Sequence, residues 1–249
     1  MMKGLQPFWR YYGGKWLASP RYPAPAYDRI VEPFAGAGGY SLRYPSLSVT
    51  LIDRSPQIAG IWRYLIAATE REILRLPDVP EGGTVDDLDV PQEARWLIGF
   101  WCNAAATMPR KSPSRWAQRG AEGGIRAAWG GWNHRSRQRV AAQVHAIRHW
   151  RIIEGDYHES PDENATWFID PPYSTPAGSY YPYQIDDYDD LGSWCRSRKG
   201  QVIVCEQEGA TWLPFRPFAS TRSRHGRSKE VVWTSGHDQI DIFDAKGWG

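Results

Sequence analysis

Pro171 and Pro172 impose the hardest constraint on this chain. They follow an apolar run, Trp167-Phe168-Ile169, that reads as the end of a buried strand. Two consecutive prolines lock φ, remove two backbone donors and bar the strand from continuing. Asp170 and Tyr173, which flank them, are therefore held at the strand's C-terminal edge. In open α/β sheets that edge is where ligands bind. A carboxylate beside rigid carbonyls and an aromatic ring is suited to hold a planar base by its exocyclic amino group. A Pro-Pro turn that merely caps a strand is the competing reading of this segment alone.

A second strand-to-turn transition lies upstream. Arg29-Ile30-Val31-Glu32 reads as a strand and runs into Pro33-Phe34-Ala35-Gly36-Ala37-Gly38-Gly39, where small residues let backbone approach a ligand closely. Leu47 to Ile52 reads as the next strand and ends at Asp53, about 15 residues beyond the glycine turn, where a carboxylate can accept hydrogen bonds from ribose hydroxyls. The turn alone is a weak signal; together with Asp53 it points to an adenosine-containing cofactor.

The rest of the chain alternates between helical and extended patterns. Apolar spacing predicts helices over Gln57–Leu76, Glu93–Ala106, Ser136–Trp150 and Asp189–Arg198, and strands at Arg151–Ile153, Gly200–Glu206, Glu230–Trp233 and Gln239–Phe243. Gly155-Asp156 follows a strand and supplies a third strand-end acid. Such alternation predicts an α/β fold with a mostly parallel sheet flanked by helices. Pro77–Pro91 is an acidic Gly/Pro-bearing linker, and Met108–Trp132 an irregular basic loop. The expected organisation is one catalytic domain from residues 1–80 and 151–249, with a mainly helical recognition region inserted at 81–150.

The net charge of +2 conceals strong segregation. Pro109–Arg151 carries ten Lys/Arg against one acid, Glu122, whereas Ile152–Asp190 carries ten Asp/Glu and no Lys/Arg. Arg216–Lys229 adds five bases and no acid. This pattern fits a chain that grips a polyanion in one region and does chemistry in another, or oppositely charged faces that pack together. Fourteen Trp and 13 Tyr in a chain of mean hydropathy -0.58 imply partly exposed aromatics, suited to stacking on bases. Cys102, Cys195 and Cys205 lack metal or disulfide spacing, and neither a signal peptide nor a bilayer-spanning run is apparent. These features predict a protein of the cytoplasm with no metal and no membrane attachment.

Taken together, the motifs resemble the Dam-type class of adenine-N6 DNA methyltransferases. Tyr11-Tyr12-Gly13-Gly14-Lys15 matches the family's N-terminal element, and Glu32 to Gly38 its Asp/Glu-Pro-Phe-x-Gly-x-Gly loop. Gly155-Asp156-Tyr157 matches its Gly-Asp-aromatic element, and Asp170-Pro171-Pro172-Tyr173 its catalytic tetrapeptide without substitution. The likeness spans residues 10–235. It implies a Rossmann-like S-adenosylmethionine-dependent fold with the cofactor over the glycine turn, lined by Glu32, Phe34, Gly36 and Gly38. Asp53 would take the ribose hydroxyls and Asp156 the cofactor's adenine, while Tyr11 and Lys15 would close the methionine end. Asp170 and the Pro171 carbonyl would hold the target amine, and Tyr173 would stack on the base. Asp156 and Asp53 also suit helix N-caps, and Lys15 an exposed turn.

The implied partner is duplex DNA with an extruded adenine, acted on by a monomer or weak dimer. Arg110, Lys111, Arg115, Arg135, Arg137, Arg139, Arg224 and Arg227 are the candidate nucleic-acid contacts. The run Arg222–Lys229 reads equally as a DNA-contacting hairpin or a solvated loop. A solitary methylase of phage or prophage type, acting in a bacterial or infected host cell, is the picture the resemblance suggests. Three other readings stay open: an amino methyltransferase acting on cytosine N4 or RNA adenine, a nicotinamide-dependent oxidoreductase, and a non-catalytic DNA-binding protein with this fold.

Overall fold

The computed structural model of the chain describes residues 4–115, 117–118, 131–223 and 226–235. The strand expected at Gln239–Phe243 and most of the later part of the Met108–Trp132 loop lie outside them. Among the described residues the strands are β1 (Arg29–Glu32), β2 (Ser48–Asp53), β3 (Arg151–Glu154), β4 (Ala165–Ile169), β5 (Gly200–Gln207), β6 (Arg216–Ser223) and β7 (Gly226–Thr234). They form one seven-stranded sheet in the order β3-β2-β1-β4-β5-β7-β6. The first five are parallel, and β7 runs antiparallel between β5 and β6. From β1 the chain winds outward through β2 to β3, and from β4 it winds the other way. The switch point therefore falls between β1 and β4, and the crevice at their C-terminal ends is the ligand position of a doubly wound sheet. This is a doubly wound, Rossmann-like sheet with an antiparallel hairpin at one edge.

The strands are short and apolar because both faces are covered. Ile30, Val49, Leu51, Phe168, Ile203 and Cys205 point into one core, and Val31, Ile52, Trp167, Ile169, Val202 and Val204 into the other. The helices α1 (Pro56–Ala67), α2 (Glu70–Arg75), α3 (Gln92–Trp101) and α4 (His134–Ala141) contribute to the first core, and α5 (Tyr188–Ser197) to the second. Leu97, Phe100, Trp101 and Val140, from the 81–150 stretch, are buried in the same cluster as β1 and β2. The helical part of that stretch is thus fastened to the core of the sheet.

Several elements differ from expectation. The helix over Gln57–Leu76 is two helices, because Ala68 turns extended and Thr69 starts α2 with a capping box to Glu72. The apolar spacing runs on across the break because both helices face one core. The helix expected to reach Ala106 stops at Trp101; beyond it the chain folds back until Arg110 N–H donates to the Gly99 carbonyl at 3.1 Å. Ser136–Trp150 divides into α4 and a 3-10 turn at Val144–Ile147. Arg148, which breaks the apolar stripe there, donates to the Ala68 carbonyl past the end of α1 at 3.1 Å. Strand β6 was not expected, since Pro217 and flanking arginines mask its pattern; as an edge strand it tolerates the proline. The run Arg222–Lys229 contributes to the end of a hairpin, with β6 and β7 paired down to Ser223↔Gly226; this pairing does not bear on contact with DNA.

Candidate active site

The glycine turn after β1 and the acid ending β2 form one side of a deep cleft. Gly36 and Gly38 hold positive φ, +44° and +62°, and a Cβ on Gly36 would meet the Tyr11 ring at 2.9 Å. The turn is pinned from below, where Trp62 of α1 donates to the Gly36 carbonyl at 2.8 Å. Asp53 faces the turn: Oδ2 accepts from Gly36 N–H and Oδ1 from Ser55 N–H, both at 2.9 Å. Burial pushes this carboxyl up to about 6, against the pull of those two donors. Each oxygen keeps lone-pair capacity for a hydroxyl, so Asp53 fits a diol.

The other side is the C-terminal edge of β4. All five residues of β4 are buried, and Phe168 stacks on Tyr40 with centroids 4.3 Å apart. Asp170 emerges beside Lys15, whose Nζ lies 2.6 Å from Asp170 Oδ1 and 3.5 Å from Glu230 Oε1 on β7. Lys15 and Asp170 thus form a short, largely buried ion pair at the end of β4. Burial raises the Asp170 carboxyl to about 6; Lys15 pulls it down, while Glu230 and Glu206 push it further up. Burial also opposes the charge on Lys15, but Asp170, Tyr173 and Glu230 outweigh it and hold the ammonium well above its ordinary value. Glu32, at the end of β1, is raised to about 7 by burial although it accepts from Ser41 N–H at 2.7 Å.

Lys15 therefore sits at the junction of the N-terminal element and the tetrapeptide. Its Nζ also donates to the Gly13 carbonyl at 3.2 Å and lies 4.9 Å from the centre of the Tyr173 ring. One face of Tyr173 is thus covered by the ammonium, and its hydroxyl donates to Glu230 at 3.2 Å. The Pro172 carbonyl accepts from the Tyr188 hydroxyl at 2.6 Å; Pro171, which is buried, and Tyr173 are not among the residues that line the cleft.

One cleft, enclosing about 770 Å³ of empty space with its mouth included, joins these two sides. Tyr11, Lys15, Glu32, Phe34, Gly36, Asp53, Asp170 and Pro172 all line it. Tyr12-Gly13-Gly14 and Tyr181-Pro182-Tyr183 also line it, and the Tyr181 hydroxyl donates to the Tyr12 carbonyl at 3.0 Å. Gly38 does not line the cleft; its place is against Trp62, which a Cβ there would meet at 2.8 Å. Asp156 faces an adjacent shallow depression. It caps a 3-10 turn through His158 N–H at 3.1 Å and also pairs with Arg54, whose side chain borders both hollows.

The basic candidates divide by what already engages them. Arg110, Arg115 and Arg135 are exposed. Lys111 pairs with Asp86 at 2.6 Å, Arg137 with Asp78 at 2.5 Å, and Arg139 lies over the Trp101 ring at 4.7 Å. Arg224, and the side chain of Arg227, lie outside the described residues. Glu230, which lies 3.5 Å from Lys15 Nζ, and Glu206, behind the tetrapeptide, are neighbours of the site that sequence reasoning missed. A strand-end acid after Gly200–Cys205 could have flagged Glu206, whereas no local pattern marks Glu230. Among the described residues no group of three or more His, Cys, Asp or Glu side chains is placed to hold a metal, and no helix is long and apolar enough to cross a membrane.

No family model matches the sequence, and no curated protein matches it. Among solved structures the chain is similar to a candidate methyltransferase of Escherichia coli, yhhF, at 9% identity and a TM-score of 0.35 over 82% of this chain and 74% of that one. It is similar to a conserved hypothetical protein of Streptococcus pyogenes, at 9% identity and 0.32 over 86% and 88%. A candidate methylase of Haemophilus influenzae matches at 8% identity and 0.33 over 83% and 78%. The order and register of the strands carry the fold assignment independently of these likenesses.

Proposed function

We propose that this chain is a site-specific DNA methyltransferase that transfers a methyl group from S-adenosylmethionine to the N6 amino group of an adenine flipped out of the duplex. The observation that supports it most is the Asp170 carboxylate, which is ion-paired with Lys15 and lines the same cleft as the glycine turn and Asp53. That cleft suits the cofactor: Asp53 offers two oxygens to a diol, and the bend at Gly36 leaves room that a Cβ would fill. Bound there, the cofactor supplies a methyl group already activated on a positive sulfur.

The chain's own task is to make adenine N6 nucleophilic. Its lone pair is delocalised into the ring, and two acceptors that take both N–H groups favour a pyramidal nitrogen. Asp170 takes one and the Pro171 carbonyl the other. As the N–C bond forms and the methyl–sulfur bond breaks with its electron pair left on sulfur, N6 gains positive charge beside the Asp170 carboxylate, which is preorganised to stabilise it. Asp170 is also placed to receive the proton that N6 then loses. Tyr173 offers the base the ring face away from Lys15, worth about 1–3 kcal/mol of stacking. Flipping the base costs roughly a few kcal/mol, which phosphate contacts from Arg110, Arg115 and Arg135 help offset.

Incubation with tritiated S-adenosylmethionine and duplex DNA is expected to label the DNA. Titration should show S-adenosylhomocysteine binding where NAD does not. Salt-sensitive DNA binding without any label would instead mark a non-catalytic binding protein, and NAD binding would mark an oxidoreductase. Label entering RNA but not DNA would move the substrate to RNA.

A further inference from the structure

Glu206, near the end of β5, is fully buried at 0% exposure, yet no Lys, Arg or His among the described residues lies within ion-pair distance of it. N–H donors take the place of a cation. Oε2 accepts from Ser174 N–H at 2.9 Å and Trp212 Nε1–H at 3.0 Å, and Oε1 from Gln207 N–H at 2.8 Å. Burying a carboxylate without a cation is costly unless such donors compensate it. One of the donors, Ser174, is the residue that follows the Asp-Pro-Pro-Tyr tetrapeptide. The next residue is held the same way, with the Thr175 hydroxyl donating to Gln207 Oε1 at 2.5 Å. The other end of the tetrapeptide is fixed by β4, whose Ile169 pairs with Val204 two residues before Glu206.

We infer that Glu206 is a positioning residue for methyl transfer: by gripping the Ser174 amide it fixes the backbone path through Asp170–Tyr173, and so aims the Asp170 carboxylate and the Pro171 carbonyl at the target amine. The inference rests on the methyl-transfer reading above. Glu206 contacts neither the cleft nor any atom that reacts, so it acts through the loop. It also adds negative charge near Asp170, which further faces Lys15 from the N-terminal loop, Glu230 from β7 and Glu32 from β1.

The test compares Glu206→Ala and Glu206→Gln with the wild-type chain in three measurements. Loss of aim should cost Glu206→Ala about 100-fold in kcat, while affinities for S-adenosylhomocysteine and DNA stay within about threefold. Amide hydrogen exchange at Ser174 should quicken about tenfold or more, with Gly36 unchanged. Glu206→Gln keeps the shape and one accepting oxygen. Its kcat should fall about tenfold, and the acid limb of its pH–rate profile should move to lower pH, because a negative neighbour of Asp170 has gone. If Glu206→Ala does not fold, Glu206→Gln decides alone. Wild-type kcat with an unmoved acid limb in Glu206→Gln, or unchanged exchange at Ser174, overturns the inference. A wild-type chain that binds S-adenosylhomocysteine but labels neither DNA nor RNA overturns the methyl-transfer reading instead, and Ser174 exchange then still decides whether Glu206 holds the loop.

Discussion

At the β1–β2 side of the cleft the polar atoms belong to neighbouring stretches of chain, whereas at the β4–β5–β7 side they arrive from segments far apart in sequence. Asp53 is held by the backbone N–H groups of Gly36 and Ser55, and Trp62 braces the turn from the helix that follows. Asp170 instead meets Lys15 from the N-terminal loop and Glu230 from the hairpin, with Glu206 behind the tetrapeptide. The first side needs little more than β1, β2 and the helix that follows them to form. The second exists only when the whole sheet is assembled. A side of the cleft built locally tolerates change elsewhere, while an edge built from remote charges forms only with the completed fold.

Substitutions on the two sides should therefore separate binding from chemistry. The largest effect is expected at the remote edge. Asp170→Ala should lower kcat about 10³-fold or more, some 4 kcal/mol, while S-adenosylhomocysteine binding stays within a few-fold. Single-turnover assays with equilibrium titration check this, and a parallel loss of both would erase the distinction. Lys15→Met removes the cation that Asp170 and Glu230 share. It should cost up to about 3 kcal/mol of stability by denaturant titration, limited because Asp170 can take up a proton. It should also move the acid limb of activity to higher pH, since Lys15 pulls the Asp170 carboxyl down. On the local side, Asp53→Ala should weaken cofactor affinity about 10- to 100-fold, as expected for lost hydrogen bonds to a charged acceptor, with much less change in kcat at saturation. An unchanged dissociation constant would remove the diol role.

The pH response should also set the two uses of these acids against each other. Glu32 is raised to about 7, and Asp53 and Asp170 to about 6. Their folded values lie above the unfolded ones, so the native chain holds more protons between them. The stability they contribute is present in full below the ordinary carboxylate range and is lost as pH rises through about 6 to 7. Activity should run the other way, because Asp170 must be ionised to accept an N–H. The expected profile of kcat/KM rises with pH up to about 6 and levels above it. A flat profile between pH 5 and 8 would remove Asp170 from that role. The smallest effect belongs to the basic surface. Arg115→Ala should weaken DNA binding similarly for all sequences and reduce the salt slope by about 1, measured by titration at several ionic strengths.

What could be read from the sequence follows the same division. The strand ending at Glu32, the glycine turn, Asp53 and the stop at Pro171-Pro172 are local patterns, and each lies where its pattern predicts. The break at Thr69 was also legible, since Thr69-x-x-Glu72 is a capping-box spacing, but a continuous apolar stripe hid it. The pairing of Lys15 with Asp170 and Glu230 was not legible, because nothing local records which strands become neighbours. Asp156 suited both a cap and a cofactor contact; the structure shows it capping, outside the main cleft, beside the Arg54 that borders both hollows. Strand β6 shows the opposite limit, as a proline tolerated only at a sheet edge concealed a strand whose position depended on its partner.

The identity of the modified nucleoside tests the central claim most directly. Duplex DNA incubated with the wild-type chain and S-adenosylmethionine, then digested to nucleosides and resolved by mass, should contain N6-methyladenine, and the same DNA treated with Asp170→Ala should contain none. N4-methylcytosine in its place, or N6-methyladenine formed equally well without the Asp170 carboxylate, would contradict the account.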